Sequence, residues 1–385
     1  MSIALRYLAA EIYRASAIVL LALMGLFTFF NLIDELDRLS ATFSVANLLY
    51  LEALSMPTQL YELLPIGLLI GSILALAGLA QRNELVILRV SGISGMKLLM
   101  MLWAITIPLM VLAMLLSEYI APRTEIRANE ASLEIIGRAG GGRLSSGYWF
   151  REKGQDNTIR IINIKRLQSQ GQVQNITVYL LDEHLNLKSM TEAKSGVLKD
   201  EELRLDESVV TNIHPDAIHF LEHTTAPQEP LIKIETDPST VLPTALTSER
   251  LLARILTPER MAAADLLDYI SYLEDNQLQT TRQVVALWRK FAYPFSLLVM
   301  ITIAAPISFM QTRRGGAGSK IFLGIVVGVG FFMLNQLTLN LGMLSQWSPW
   351  VTALLPNLSM LITAFIALLI LENRNRRFLR ARRPN

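Results

Sequence analysis

The sequence predicts an integral membrane α-helical protein of six transmembrane helices, with an all-β, jelly-roll-like domain inserted between helices three and four on the outer side. Three observations carry this reading. First, six runs with almost no charge reach the roughly 20 residues a helix needs to cross a bilayer. Second, the long polar stretch between the third and fourth runs carries short alternating apolar patterns broken by turn residues. Third, the formal net charge of only +2 hides a segregation of basic residues to one side of the spans. At 52% hydrophobic, the chain falls in the membrane class.

The apolar runs are Ala15 to Ile33, Leu63 to Ala80, Leu98 to Leu116, Phe291 to Met310, Ile321 to Leu341 and Val351 to Leu371. The first follows Arg6 and Arg14 as a signal peptide would, but it lacks a small-residue cleavage site and is too long, so it reads as a retained anchor. Arg6 and Arg14, then Arg82, Arg89 and Lys97, then Arg313, Arg314 and Lys320, then the six arginines of the tail all fall on one face. The positive-inside rule makes that face cytoplasmic, with both termini inside. The resulting division is 1–117 for spans one to three, with a short helix at about 82–92, and 118–245 for the outer β domain. A helical connector at 246–290, spans four to six at 291–371 and a basic tail at 372–385 complete it. The tail, next to a span, is read as a topology and lipid-headgroup element, not a nucleic-acid site.

In the outer insert, strands are expected at Tyr148 to Arg151, Thr158 to Asn163, Asn175 to Leu181, Ser189 to Val197, Leu203 to Ile213, Ala217 to Leu221 and Leu231 to Glu235. This spacing predicts a sandwich or a jelly roll. Ile176, Val178 and Leu180 share one face of the third strand. They line either a packed core or an open apolar trough for a lipid. Pro258 to Asn276 changes to helical period and predicts an amphipathic helix at the outer boundary.

The segment Ala80 to Gly92 is the most informative part of the chain. Asn83 caps a short helix, Glu84 suits its positive end, and Ser91-Gly92 supplies a left-handed stop. On a helical wheel Leu85, Val86, Ile87, Leu88 and Val90 point in nearly every direction. Arg82 and Arg89 share one side and Glu84 stands opposite. A helix this apolar is buried either in another protein's groove, with Glu84 as the charge the partner answers, or half sunk among lipid headgroups.

Several chemistries are excluded. With no cysteine and four scattered histidines, the chain has neither a thiolate nucleophile nor a zinc-like spacing. Gly315-Gly316-Ala317-Gly318-Ser319-Lys320-Ile321 has the wrong spacing for a phosphate loop and reads as a turn. No ionisable residue sits at mid-depth in a span, which disfavours a self-powered secondary transporter. Gly324, Gly328 and Gly330 allow close packing or sliding of span five against a neighbour.

With these residues in view, the chain resembles the lipopolysaccharide-export permeases, the LptF/LptG family, and looks closer to the LptG type. The resemblance covers essentially the whole length. Its most specific stretch is Leu79 to Leu85 continued by Ser91-Gly92. Further matches are Glu118-Tyr119-Ile120-Ala121-Pro122, Gly147-Tyr148-Trp149, Trp288-Arg289-Lys290 with Pro294, Asn335-Gln336 and Ala353-Leu354-Leu355-Pro356.

The resemblance implies a non-catalytic permease subunit of an ATP-driven exporter that takes lipopolysaccharide from the outer leaflet of the inner membrane to a periplasmic bridge. Its implied partners are a homologous second permease of LptF type, a cytoplasmic ATPase dimer of LptB type and a single-span bridge protein of LptC type. No cofactor or metal is expected on this chain; ATP and magnesium belong to the ATPase. Coupling to the ATPase falls by resemblance on Arg82, Glu84, Leu85, Leu88 and Arg89. The substrate path falls on Phe30, Asp37, Arg38, Arg123, Ile176, Val178, Leu180, Gly324 and Gly328, with spans one and five as lateral gates. One departure stands out. Family members often carry basic residues at the outer end of span one, where this chain has Asp34-Glu35-Leu36-Asp37-Arg38. Phosphate is met by a partner permease's cations, by bridging divalent metal, or by Arg38 and Arg123. The alternative function is a mechanotransmitting subunit that couples an ATPase to a periplasmic partner without moving lipid.

Overall fold

The computed structural model describes residues 3–36, 43–136, 147–153, 158–167, 171–199, 202–214, 230–244, 257–309 and 317–381. Among these, six helices are long and apolar enough to cross a membrane. They are α1 (Ile3–Leu36), α2 (Val45–Gln81), α4 (Gly95–Leu115), α7 (Thr281–Phe309), α8 (Ala317–Leu344) and α9 (Pro349–Ala381). The short α3 (Glu84–Val90) joins α2 to α4, α5 (Ala121–Ile136) continues from α4, and α6 (Ala263–Asp275) precedes α7. The described part of each of the six apolar runs falls on one of the long helices, the third reaching one residue past α4. At about 1.5 Å per residue, α2 is some 55 Å long against a hydrocarbon core of about 30 Å, so its first half stands beyond the bilayer.

α2 is the hub. The apolar stretch of α2 is mostly buried, whereas very little of the apolar stretch of α1 is. Both neighbours reach α2 through glycine pairs one turn apart. Gly67 and Gly71 of α2 face Leu20 and Ser16 of α1, so close that a Cβ on Gly71 would collide with the Ser16 backbone. Gly324 and Gly328 of α8 seat against Ile73 and Leu69 of α2. In lipid, where helix association rests on van der Waals packing, such small-residue faces let backbones approach closely. Polar cross-links add to this. Trp103 Nε1 donates to Thr302 Oγ1 at 2.9 Å, Tyr13 donates to the Ile105 carbonyl at 2.6 Å, and Tyr61 stacks on Tyr293 with ring centroids 3.9 Å apart.

The insert begins with a helix, not a strand. A π-helical turn at Leu116–Ile120 carries α4 directly into α5, a span of residues assigned above to the β domain. The helix forms because Ala121 to Ile136 is rich in helix-forming Ala, Glu, Arg and Leu and lacks glycine. Its Ile126 packs on a cluster of Met261, Leu266, Ile270 and Ala286. The expected amphipathic connector is present as a 3₁₀ turn at Pro258–Arg260 followed by α6.

Six antiparallel strands follow nearest-neighbour order in one sheet: β1 (Tyr148–Lys153), β2 (Ile159–Leu167), β3 (Gln172–Leu181), β4 (Leu187–Lys199), β5 (Glu202–Ile213) and β6 (Ile232–Pro243). The β domain expected between spans three and four is therefore present as an antiparallel sheet, and β6 runs eight residues past the expected Glu235. The expected strand at Ala217 to Leu221 lies outside the described residues.

The sheet is creased. Its ladder pairings break at Lys165, Asn175, Lys194, Glu207 and Pro238, which the register on either side places in one line across five strands. Asn175 and Glu207 adopt left-handed φ values of 52° and 48°. On β3, β4 and β5 the inward-facing set changes parity at this line: Val173 then Ile176 and Val178, Ala193 then Gly196 and Leu198, Leu205 then Ser208. Each break flips the alternation so that both flanks point inward. One folded sheet thereby closes a single core from Phe150, Ile162, Ile164, Ile176 and Val178 on one flank and Val173, Leu198, Leu203 and Leu205 on the other.

Candidate functional site

The α3 segment sits at the end of the bundle opposite the sheet, between α2 and α4. Its stop is the one the sequence announces. Gly92 has φ 89°, Ser91 N–H bonds to the Ile87 carbonyl, and Ile93 N–H reaches the Leu88 carbonyl at 3.1 Å. The last of these is the long bond of a Schellman motif. Its start differs from the expected cap. Asn83 takes a left-handed φ of 59° and contributes its carbonyl, which accepts from Ile87 N–H.

Glu84 opens the helix and is held from two sides. Tyr7 of α1 donates to its Oε2 at 2.8 Å, and Arg82 Nε lies 3.5 Å from its Oε1. Arg82 also reaches Glu11 of α1 at 3.3 Å. That hydrogen bond to Glu11, with the nearby Glu84 carboxylate, raises the Arg82 guanidinium above its usual value. Arg82 thus stands beside Glu84, not opposite it, because it belongs to the C-cap of α2 and not to α3. The wheel placement drawn from the sequence is corrected on this point.

The apolar residues of α3 divide. Leu85 is buried in this chain's own core and Leu88 packs against that core. Ile87 and Val90 are 62% and 84% exposed. Any surface presented to a partner therefore runs through Ile87 and Val90, and the coupling role given to Leu85 is corrected to an anchoring one. The side chain of Arg89 lies outside the described residues. A uniformly apolar wheel cannot announce which face its own protein takes.

At the sheet end, an ionic cluster mounts α5, the 258–260 turn and α6 on the spans. Glu125, buried on α5, accepts from Thr58 Oγ1 at 3.1 Å and pairs with Arg260 Nη1 at 2.5 Å. Arg260 also lies 3.8 Å from Glu62. Burial works to lower its basicity, but Glu125, Glu62 and Glu259 outweigh it and hold the guanidinium above its usual value. The π turn aims both Ser117 and Glu118 at Lys290 Nζ, at 2.9 Å and 3.2 Å. Glu118 Oε2 accepts the Ala263 N–H at 2.7 Å, supplying to α6 the cap that its own Ala262 cannot. Tyr272 of α6 then donates to the Arg151 carbonyl of β1 at 2.9 Å. The chain of contacts runs unbroken from span four to the sheet.

The remaining candidates separate. Phe30 is exposed on α1 among Phe27, Phe29 and Ile33. Arg123 is exposed on α5, with its guanidinium 6.0 Å from the Tyr119 ring centroid. Asp37 and Arg38 lie outside the described residues. Ile176 and Val178 are core, at 1% and 4% exposure, and Leu180 is half-buried, so in this conformation that face is packed and not an open trough. Gly324 and Gly328 meet α2 as described above. Sequence reading missed Tyr7 and Glu11, whose four-residue spacing puts them on one helix face, and Gly67-x-x-x-Gly71, whose spacing was readable.

Fold and site define a multi-pass membrane protein with a short helix at one end of its bundle and a sheet domain at the other. The chain matches, over residues 6–370, the family described as "Lipopolysaccharide export system permease LptF/LptG". It belongs to that family. It is 25% identical over 335 residues to the lipopolysaccharide export system permease protein LptG of Haemophilus influenzae, covering 86% of this chain and 88% of the relative. It is also 25% identical over 362 residues to the LptG protein of Escherichia coli K12, covering 92% of this chain and 94% of that one.

Proposed function

We propose that this chain is the transmembrane permease subunit of an ATP-driven lipopolysaccharide exporter. In this reading it extracts lipopolysaccharide from the outer leaflet of the inner membrane and passes it to a periplasmic bridge. The observation that carries the proposal is the family match, which runs through all six spans and the whole sheet domain. The exposed apolar face of α1, with Ile18, Leu21, Phe27 and Phe30 uncovered, supports a second permease packed beside it. The exposed Ile87 and Val90 beside Glu84 support a cytoplasmic ATPase seated on α3.

The α3 end is then cytoplasmic, as are both termini, and the sheet is periplasmic. Hydrolysis belongs to the ATPase dimer, which uses ATP and magnesium, and this chain contributes no catalytic residue. A bridge protein with one span receives the lipid from the sheet domain.

Gentle-detergent purification through a tag on this chain, with mass spectrometry of what accompanies it, tests the reading. An ATPase, a second six-span homologue and lipid A are expected. An ATPase without either of the others would favour the mechanotransmitting alternative.

A further inference from the structure

At the sheet end of the bundle a cavity of about 320 Å³ opens within this single chain, between α2, α7, α8 and α9. Its walls divide by chemistry. The inner part is apolar, with Ile66, Met300, Phe331 and Phe332; the outer part is charged, with Glu62, Glu259, Arg260, Arg289 and Lys290.

The charges are committed, with one exception. Arg260 is paired with Glu125 and Glu62, Glu259 with Arg282 at 3.4 Å, and Lys290 with Glu118 and Ser117. Arg289 has no hydrogen bond and no ion pair among the described residues. It feels Glu259 and Glu62 only at longer range. A half-buried guanidinium without a partner is costly, and its planar fork of donors suits a phosphate oxygen pair. Two further polar groups of the wall lack a partner among the described residues. Asn357 Oδ1 is buried and unsatisfied, and Asn335 has no side-chain hydrogen bond.

We infer that this cavity binds the phosphate-bearing, anionic headgroup of a membrane lipid, with Arg289 as the phosphate ligand and the Ile66–Phe331–Phe332 wall against the lipid's glycerol and upper acyl carbons. The position fits, because the cavity lies at the outer end of the spans where headgroups stand. The volume fits as well: it lies in the range of small-ligand pockets and far exceeds what a phosphate ion fills. The apolar wall gives an acyl chain a place that inorganic phosphate would leave unused. The inference rests on this chain's own side chains and holds whether or not the protein exports lipopolysaccharide.

The test uses the full chain, with the subunits that accompany it, in a neutral detergent. Thermal stabilisation is titrated with dihexanoyl phosphatidylglycerol, with dihexanoylglycerol lacking a phosphate, and with inorganic phosphate. Phosphatidylglycerol is expected to saturate at a concentration at least tenfold below either of the others. Arg289→Gln should raise that concentration at least tenfold while leaving the lipid-free protein no less stable, since it removes an unpaired charge; Arg289→Lys should recover most of the loss. Phe332→Ala should weaken phosphatidylglycerol several-fold and leave the response to inorganic phosphate unchanged, which keeps the test intact if Arg289→Gln does not fold. Equal saturation by inorganic phosphate would assign the site to the free ion. Equal saturation by dihexanoylglycerol, or an unchanged response in Arg289→Gln, would overturn headgroup recognition.

Discussion

Tyr7 and Glu84 stand 77 residues apart in the sequence, yet the tyrosine hydroxyl donates to the carboxylate at 2.8 Å and ties the first span to α3. The residue proposed to answer the ATPase is thus already oriented by a proposed gate helix. The bond is exposed to solvent, so it steers Glu84 more than it stabilises the fold. Tyr7→Phe should therefore keep the ATPase bound but lower the lipid moved per ATP hydrolysed. Glu84→Ala should abolish transport with insertion intact. Both are read in proteoliposomes as transport against phosphate release. A Tyr7→Phe protein with unchanged coupling would make the contact incidental, and normal export by Glu84→Ala would remove α3 from the mechanism.

Gly71 tests the seat of span one on span two. A methyl group there would press on the Ser16 backbone, which cannot rotate away, so α1 must move. Overpacking of this kind costs about 1–3 kcal/mol. Gly71→Ala should lower the detergent melting temperature, while Gly25→Ala, on span one itself but with open space around it, should leave it unchanged or slightly raised. Equal behaviour of the two variants would place α1 elsewhere.

The parts of this structure that were legible in the sequence are those with local causes. Apolar length gave the six spans, and Ser91-Gly92 gave the stop of α3. Alternation gave β1 to β5 to within a few residues. The crease was not legible because Asn175 and Glu207 each take a left-handed φ singly inside a strand, with no glycine or proline beside them to mark the break. Leu85 was misread because a helix apolar on all sides does not say which face its own bundle takes. Helix α5 was not foreseen because its half-buried Ile126 gains meaning only beside Met261 and Leu266. Arg289 was visible as part of a motif, but its lack of a partner depends on where Glu118, Glu125 and Arg282 turn.

The crease makes a prediction of opposite sign from the usual one for glycine. A left-handed conformation costs an L-residue about 1–2 kcal/mol, and glycine escapes that cost while giving up some chain entropy. Glu207→Gly should hold or raise the stability of the sheet domain by up to about 1 kcal/mol, whereas Glu207→Val should lower it by more than about 1 kcal/mol. Denaturant unfolding followed by hydrogen exchange of β5 separates the two. Destabilisation by glycine would mean the φ of residue 207 is not strained.

Removal of either partner of the Lys290–Glu118 pair should cost unequally. Lys290 is nearly buried, with 7% of its side chain exposed against 30% for Glu118. Glu118→Ala strands that ammonium with only Ser117 and also uncaps α6, a loss of about 3 kcal/mol or more. Lys290→Met removes the buried charge and leaves Glu118 bonded to the Ala263 N–H, so it should cost less than half as much. Chemical denaturation of the two variants in one detergent checks the order, and a reversed order would mean the cap of α6 does not depend on Glu118.

Asp182 sets a pH dependence in the β3–β4 turn. Its Oδ1 accepts the backbone N–H groups of Asn186 and His184 at 2.8 and 2.9 Å. These bonds, the Asn186 backbone first, hold its carboxyl below the usual aspartate value. A depressed carboxyl contributes stability that is present above its unfolded value, about pH 4, and is lost as pH falls through the folded one. The turn should therefore hold its shape from neutral pH down to about pH 4 and loosen below it. Asp182→Asn, which keeps one acceptor oxygen but no charge, should show the loosened state at every pH. Amide exchange at Asn186, corrected for its intrinsic pH dependence, reads this directly: protection that falls with acid in the native chain and stays flat and low in Asp182→Asn. Protection in the native chain that does not change with acid would mean the charge on Asp182 plays no part in holding the turn.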